Sequence, residues 1–189
     1  MFAYCENCFV DSSDYDGEKK KSNQYSGSKA ARYAKNWAYG RNLKYRFYSS
    51  DCTNFVSQCL YAGGIPMSNK WKHKLKSGKW DVTLTWSVAP NSYSFFMNSK
   101  YSYGSLKIKD KYSTIADYIY NIRVGDPIYF DKGNGIYHAG IIVKVNTKKK
   151  KAYYAAHTTD RSCYNLGKFL KHEKDSKKCV YVVRMRKSW

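Results

Sequence analysis

No stretch of this chain approaches the roughly 18 consecutive apolar residues of a membrane-spanning helix, so no such span is expected. Met1 to Val10 lack a basic segment followed by an apolar run, and Asp11, Asp14 and Asp16 come next, so no signal peptide is expected there. A glycine-rich phosphate loop is missing, and so is any internal repeat. Acidic residues are also scarce. Asp and Glu number 14 against 34 Lys and Arg, which leaves a net charge of +20. Such a surplus attracts nucleic acid, anionic lipid or the anionic polymers of a Gram-positive wall, and it speaks to association rather than fold. No helix-turn-helix, zinc-finger or RNA-recognition signature accompanies it, so specific nucleic-acid binding is not expected.

What is present describes a folded domain. At 189 residues the chain can bury one proper core and is short for two. Hydrophobic residues make up 43% and aromatic residues 17%, so the mean hydropathy of -0.70 does not signal disorder. Twenty tyrosines dominate the aromatics and suit a surface that stacks on sugars or peptides. Residues 1–24 read as a polar, poorly structured leader, and residues 25–189 as a single domain. The lysine run from Lys148 to Lys151 reads as a solvated hairpin tip.

Two helices are expected first. Ala30, Tyr33, Ala34, Trp37 and Ala38 share one face of a segment with Ser28 as its cap and Gly40 as its stop. Cys52, Phe55, Val56, Cys59 and Leu60 mark a second helix from about Cys52 to Ala62, with Asp51 before it and Gly63-Gly64 after it. Cys52 then lies in a first turn, where unpaired N–H groups and the positive end of the helix dipole favour a thiolate. A small core residue at the end of an apolar stripe is the competing explanation. Residues 69–112 read as a long, partly irregular insertion that walls the site, with one short helix from Asn91 to Met97. Thr114 to Asn121 add another.

The last third turns to strands, in 126–130, 138–145, 152–157 and 180–185. Helices first and strands later indicate an α+β domain with an antiparallel sheet. If Val145 and Ala152 pair across the lysine turn, His138 falls opposite Thr159. His157 then lies on the same face, roughly 7 to 8 Å away diagonally. Both histidines are expected to face one site, where one imidazole pairs with a thiolate and the other orients it. His73 and His172, set among lysines, read as solvated. Of the other cysteines, Cys59 continues the buried stripe, and Cys163 with Cys179 is the preferred bridge. Cys5-Glu6-Asn7-Cys8 lacks the second close pair of a structural zinc site, so no metal is expected.

The segments Asp51-Cys52-Thr53-Asn54-Phe55-Val56-Ser57-Gln58, Gly125-Asp126-Pro127-Ile128-Tyr129-Phe130, His138-Ala139-Gly140-Ile141-Ile142-Val143 and Ala156-His157 resemble, in order, the blocks of papain-like NlpC-type peptidases and CHAP amidases of the bacterial cell wall. With Gly63-Gly64-Ile65-Pro66-Met67 and Trp86-Ser87, the chain looks closest to the family known as putative amidase domains. The resemblance spans about Lys29 to Thr159, and the cysteine block is its most specific part. It implies a papain-like fold and a cysteine hydrolase that cuts an amide bond of peptidoglycan through an acyl-enzyme, without cofactor. Cys52 matches the nucleophile, His138 the general base and His157 the polar third residue. Asp51, Tyr45 and Trp86 are expected near the oxyanion or substrate. Tyr45 and His157 depart from the NlpC spacing. An extracellular or wall-associated bacterial protein is implied, with peptidoglycan and anionic wall polymers as partners and a monomer as the expected state. The same chemistry on a protein substrate, or a wall-binding module without catalysis, stays open.

Overall fold

The computed structural model describes residues 23–109, 114–172 and 178–189. The expected leader, apart from its last two residues, lies outside the described residues with Cys5 and Cys8, as does the side chain of His172. Helix α1 (Gly27–Trp37) buries Ala30, Ala31 and Ala34, a stripe small enough for close approach to its neighbours. Its cap is Ser26 rather than Ser28: the Ser26 hydroxyl accepts from the Lys29 amide at 3.3 Å. Helix α2 (Cys52–Ala62) has the predicted bounds. Gly64, at φ +111, follows Gly63 and turns the chain, so that the Ile65 amide bonds the Leu60 carbonyl at 3.1 Å. Every residue from Cys52 to Leu60 is buried, which makes α2 the central helix of the molecule. Its polar positions are therefore bonded: Ser57 donates to the Trp86 carbonyl at 2.8 Å, and the Tyr33 hydroxyl donates to Gln58 at 2.8 Å.

Residues 69–109 of the stretch expected to be a partly irregular insertion are built of regular elements, and the helix expected from Asn91 to Met97 is among them. They form a hairpin of β1 (His73–Lys76) and β2 (Lys79–Val82), then α3 (Leu84–Ser87), α4 (Ala89–Met97) and β3 (Ser102–Lys109). Next come α5 (Thr114–Tyr118), β4 (Pro127–Asp131), β5 (Ile136–Asn146), β6 (Lys151–Ala156), β7 (Arg161–Asn165), α6 (Leu166–His172) and β8 (Cys179–Met185). Six strands make one antiparallel sheet in the order β3-β8-β4-β5-β6-β7. The domain is thus α+β, as expected. One sheet face, with Tyr129, Ala139, Ile141 and Val183, packs on α1, α2 and α4. The other, with Ile128, Phe130, Ile142, Tyr154 and Val182, packs on Ile115 of α5 and on Leu166 and Leu170 of α6.

A bulge in the β5–β6 hairpin decides how the histidines face. Val145 pairs with Ala152 and Lys144 with Tyr153, as the sequence predicts, but Ile142 pairs with Tyr154 and Ile141 with Ala155. Val143 is one extra residue on β5, and every pairing beyond it slips by one. Because side chains alternate with a period of two, that slip moves His138 and His157 to opposite faces. The expectation that they share a face is therefore corrected.

The Cys163–Cys179 bridge is also corrected, since both thiols are free. Cys163 is on β7 and Cys179 on β8, four neighbours apart in the sheet, about 19 Å at the usual strand spacing. A disulfide needs Cα atoms within roughly 7 Å.

The entry to β4 runs against the start of α1. Gly125 has φ +92, and a Cβ there would overlap Gly27 Cα, while the Tyr25 hydroxyl donates to the Gly125 carbonyl at 2.6 Å. Gly125→Ala combines left-handed strain with a backbone clash, so a loss of about 3 kcal/mol or more is expected. Urea unfolding checks it, and an unchanged midpoint would mean that α1 and β4 can part without cost.

Candidate active site

Cys52 is the first residue of α2, and only 7% of it is exposed. Its sulfur lies 3.6 Å from the Thr53 hydroxyl. Below it on the sheet is Tyr129, whose phenol burial holds well above its ordinary pKa; the Ser92 hydroxyl, bonded at 2.8 Å, eases that rise, and a charged Cys52 nearby adds to it.

Asp51 precedes α2 as its N-cap residue, and its carbonyl accepts the Phe55 amide at 2.9 Å. Its carboxylate makes no capping bond to the first-turn amides. It turns instead into a buried network. Oδ2 lies 2.7 Å from His157 Nδ1, and Oδ1 accepts from Asn54 Nδ2 at 2.8 Å. Trp86 Nε1 donates to Asn54 Oδ1 at 2.8 Å, so the indole holds the amide that holds the acid. On the other side, His157 Nε2 lies 2.8 Å from the Trp37 carbonyl. A carbonyl only accepts, so Nε2 is the donor in that contact. The imidazole is stacked on Phe55, with ring centroids 3.8 Å apart, and is 1% exposed. Arg41 adds charge beside the acid, its Nε 3.7 Å from Asp51 Oδ2, while its other nitrogens grip Asp160 at 2.9 and 3.3 Å.

Of the residues singled out in the sequence, the fold thus gathers Asp51, Cys52, His157 and Trp86 at the start of α2. His138 is placed elsewhere. It pairs with Phe130 across the β4–β5 ladder and stands on the α5–α6 face, its ring 5.1 Å from that of Phe130. Burial there, followed by the charges of Arg161 and Lys132, pushes its pKa down to about 4. Tyr45 is stacked on Trp86 at 6.0 Å and meets the edge of His73 at 5.2 Å. Burial lifts its phenol to about 12, which keeps the hydroxyl a donor at neutral pH. Trp86 is fully buried, so it supports the site from behind rather than touching a substrate. His73, expected in solvent, is buried, and its Nε2 accepts from the Arg46 amide at 3.0 Å. Among the described residues, no cluster of His, Cys, Asp or Glu is arranged to hold a metal ion.

Asn54, Arg41 and the Trp37 carbonyl were not singled out in the sequence. Asn54 alone carried a signal, because a polar residue inside a helix of buried character has to find partners.

The family described as "Putative amidase domain" matches residues 24–183. The chain belongs to that family. Its description points to amide hydrolysis, and the match takes in all the network residues together with His138. Two Bacillus subtilis proteins are similar to this putative amidase domain. "Uncharacterized protein YjcM" is 31% identical over 147 residues, covering 72% of this chain and 32% of its own length. "Uncharacterized protein YhbB" is 30% identical over 162 residues, covering 80% of this chain and 48% of its own length. The domain therefore spans a third to a half of the curated relatives it matches. No solved structure matches it.

Proposed function

We propose that the domain is a papain-like thiol hydrolase that cuts an amide bond of bacterial peptidoglycan. The observation that carries this reading is Cys52 at the first position of α2, beside a carboxylate that His157 and Asn54 draw away from the helix amides. Those amides and the positive helix end then favour a thiolate and, later, the oxyanion of a tetrahedral intermediate. The thiolate attacks the amide carbonyl, the C–N bond breaks, and the amine leaves with a proton from the imidazole. Water then releases the acid from the thioester and restores the thiol. His157, oriented by Asp51 and on the α2 side of the sheet, is the histidine assigned to that proton transfer, in place of His138. It serves once Nε2 lets go of the Trp37 carbonyl.

A second reading, a wall-binding module that keeps the fold without catalysis, is favoured by the placement of His138 on the far face. Mass spectrometry of products from Gram-positive sacculi separates the two. New amines with a matching mass gain of water are expected, either at the lactyl–peptide junction or within the stem peptide. Deamidation of added protein with intact sacculi would move the same chemistry to a protein substrate. Sacculi that are bound but unchanged would overturn the hydrolase reading.

A further inference from the structure

A groove of about 1100 Å³ is lined by Leu84 and Thr85 of α3 and by residues of α4, and no residue of the α2 N-terminus lines it. Its floor is one stripe of α4: Asn91, Ser94, Phe95 and Asn98 recur at the spacing of a single helical face. Lys70 and Lys100 are the charged residues of the lining, and no carboxylate joins them. The opposite wall is braced, because the Thr85 hydroxyl donates to the Lys70 carbonyl and lies 2.9 Å from Thr83 Oγ1, and the Lys72 amide donates to Thr83 Oγ1 at 3.1 Å. Beneath the stripe, the Phe95 ring lies parallel to that of Trp71, within 7°, which fixes its orientation.

Amides and hydroxyls in a row match the hydroxyls of sugar rings, and an aromatic face suits a pyranose. Two lysines in a lining that holds no carboxylate favour negative charge. The volume sits at or above the upper end of ordinary small-molecule sites, roughly 300 to 1,000 Å³, so several linked units fit. We propose that this groove binds a carboxylate-bearing polysaccharide, holding a polymer at a distance from Cys52. Nucleic acid is the less fitting occupant, since the lining offers two lysines and no arginine against a row of phosphates.

Affinity electrophoresis through gels containing polygalacturonate tests the idea, using the full chain with Cys52→Ala so that turnover plays no part. Retardation is expected in polygalacturonate and not in neutral dextran. Lys70→Gln with Lys100→Gln, and separately Asn91→Ala with Asn98→Ala, are expected to weaken binding about tenfold or more. A control pair on the β5–β6 turn, Lys148→Gln with Lys150→Gln, is expected to change it less than about twofold, as a screened surface charge should. Equal weakening by the control pair would assign binding to overall charge and overturn the groove. So would equal retardation in poly-glutamate, which lacks sugar rings, or displacement by single-stranded DNA at lower concentration than by polygalacturonate. Each outcome is independent of whether Cys52 cuts anything.

Discussion

Cys52→Ala is expected to reduce amine release from sacculi by at least about a thousandfold, because the nucleophile is the one group without which no acyl-enzyme forms. The substitution removes a single sulfur from a helix whose other buried residues keep their partners, so the fold should survive, with a stability loss near 1 kcal/mol. His157→Ala should remove most of the activity too, whereas His138→Ala should leave most of it, since that ring stands on the α5–α6 face. Wild-type rates from Cys52→Ala would end the thiol assignment. Loss of activity in His138→Ala with retention in His157→Ala would return the proton transfer to His138.

Asp51→Ala is the second large effect, and here stability is the readout. Asp51 is 2% exposed and His157 1%. Removing the acid leaves His157 Nδ1 without a partner in the interior and takes one of two acceptors from Asn54 Nδ2, which keeps the Arg46 carbonyl at 3.1 Å. Breaking one side of a buried polar pair costs about 3 to 5 kcal/mol, which for a chain of this size lowers the melting temperature by roughly 10 °C. Trp86→Phe, which withdraws the donor to Asn54 and also shrinks a fully buried ring, should cost about 2 to 4 kcal/mol. Since both act on one network, the double variant should lose less than the two single losses combined. Scanning calorimetry at neutral pH is the measurement. A melting temperature for Asp51→Ala within about 2 °C of wild type would show that the network contributes little to holding the helix start.

The parts of this fold that could be read in the sequence have a strong period or strong punctuation. Helix α2 shows both an apolar stripe and a double glycine, and it runs as expected. The β-branched runs of β4, β5, β6 and β8 were equally clear. Strand β3, in contrast, has Leu106 and Ile108 as its only aliphatic positions, set between lysines as on an edge strand, so its sequence reads as part of an insertion. The one-residue bulge at Val143 carries no glycine or proline to announce it. Yet it decides which histidine faces α2, so spacing along the chain could name both histidines and could not pair either with Cys52. Asp51, expected at the helix start and near the oxyanion or substrate, holds the N-cap position, and its carboxylate is the acceptor at the centre of a buried network. Apart from the neighbouring Asn54, its partners His157 and Arg41 come from distant segments of the chain, which is why local sequence could not show them.

The sheet order has a bearing on how this domain comes into being. Strand β8, made last among the strands, lies between β3 and β4, where Val182 faces both Leu106 and Ile128. Until residues 179–185 have emerged during synthesis, β3 has no neighbour to join, and the apolar surface of β4 is open along one edge. This domain must therefore be made as far as β8 before the sheet can close, and contacts so distant in sequence assemble slowly. A nascent chain of this kind stays open for longer than one built of local hairpins.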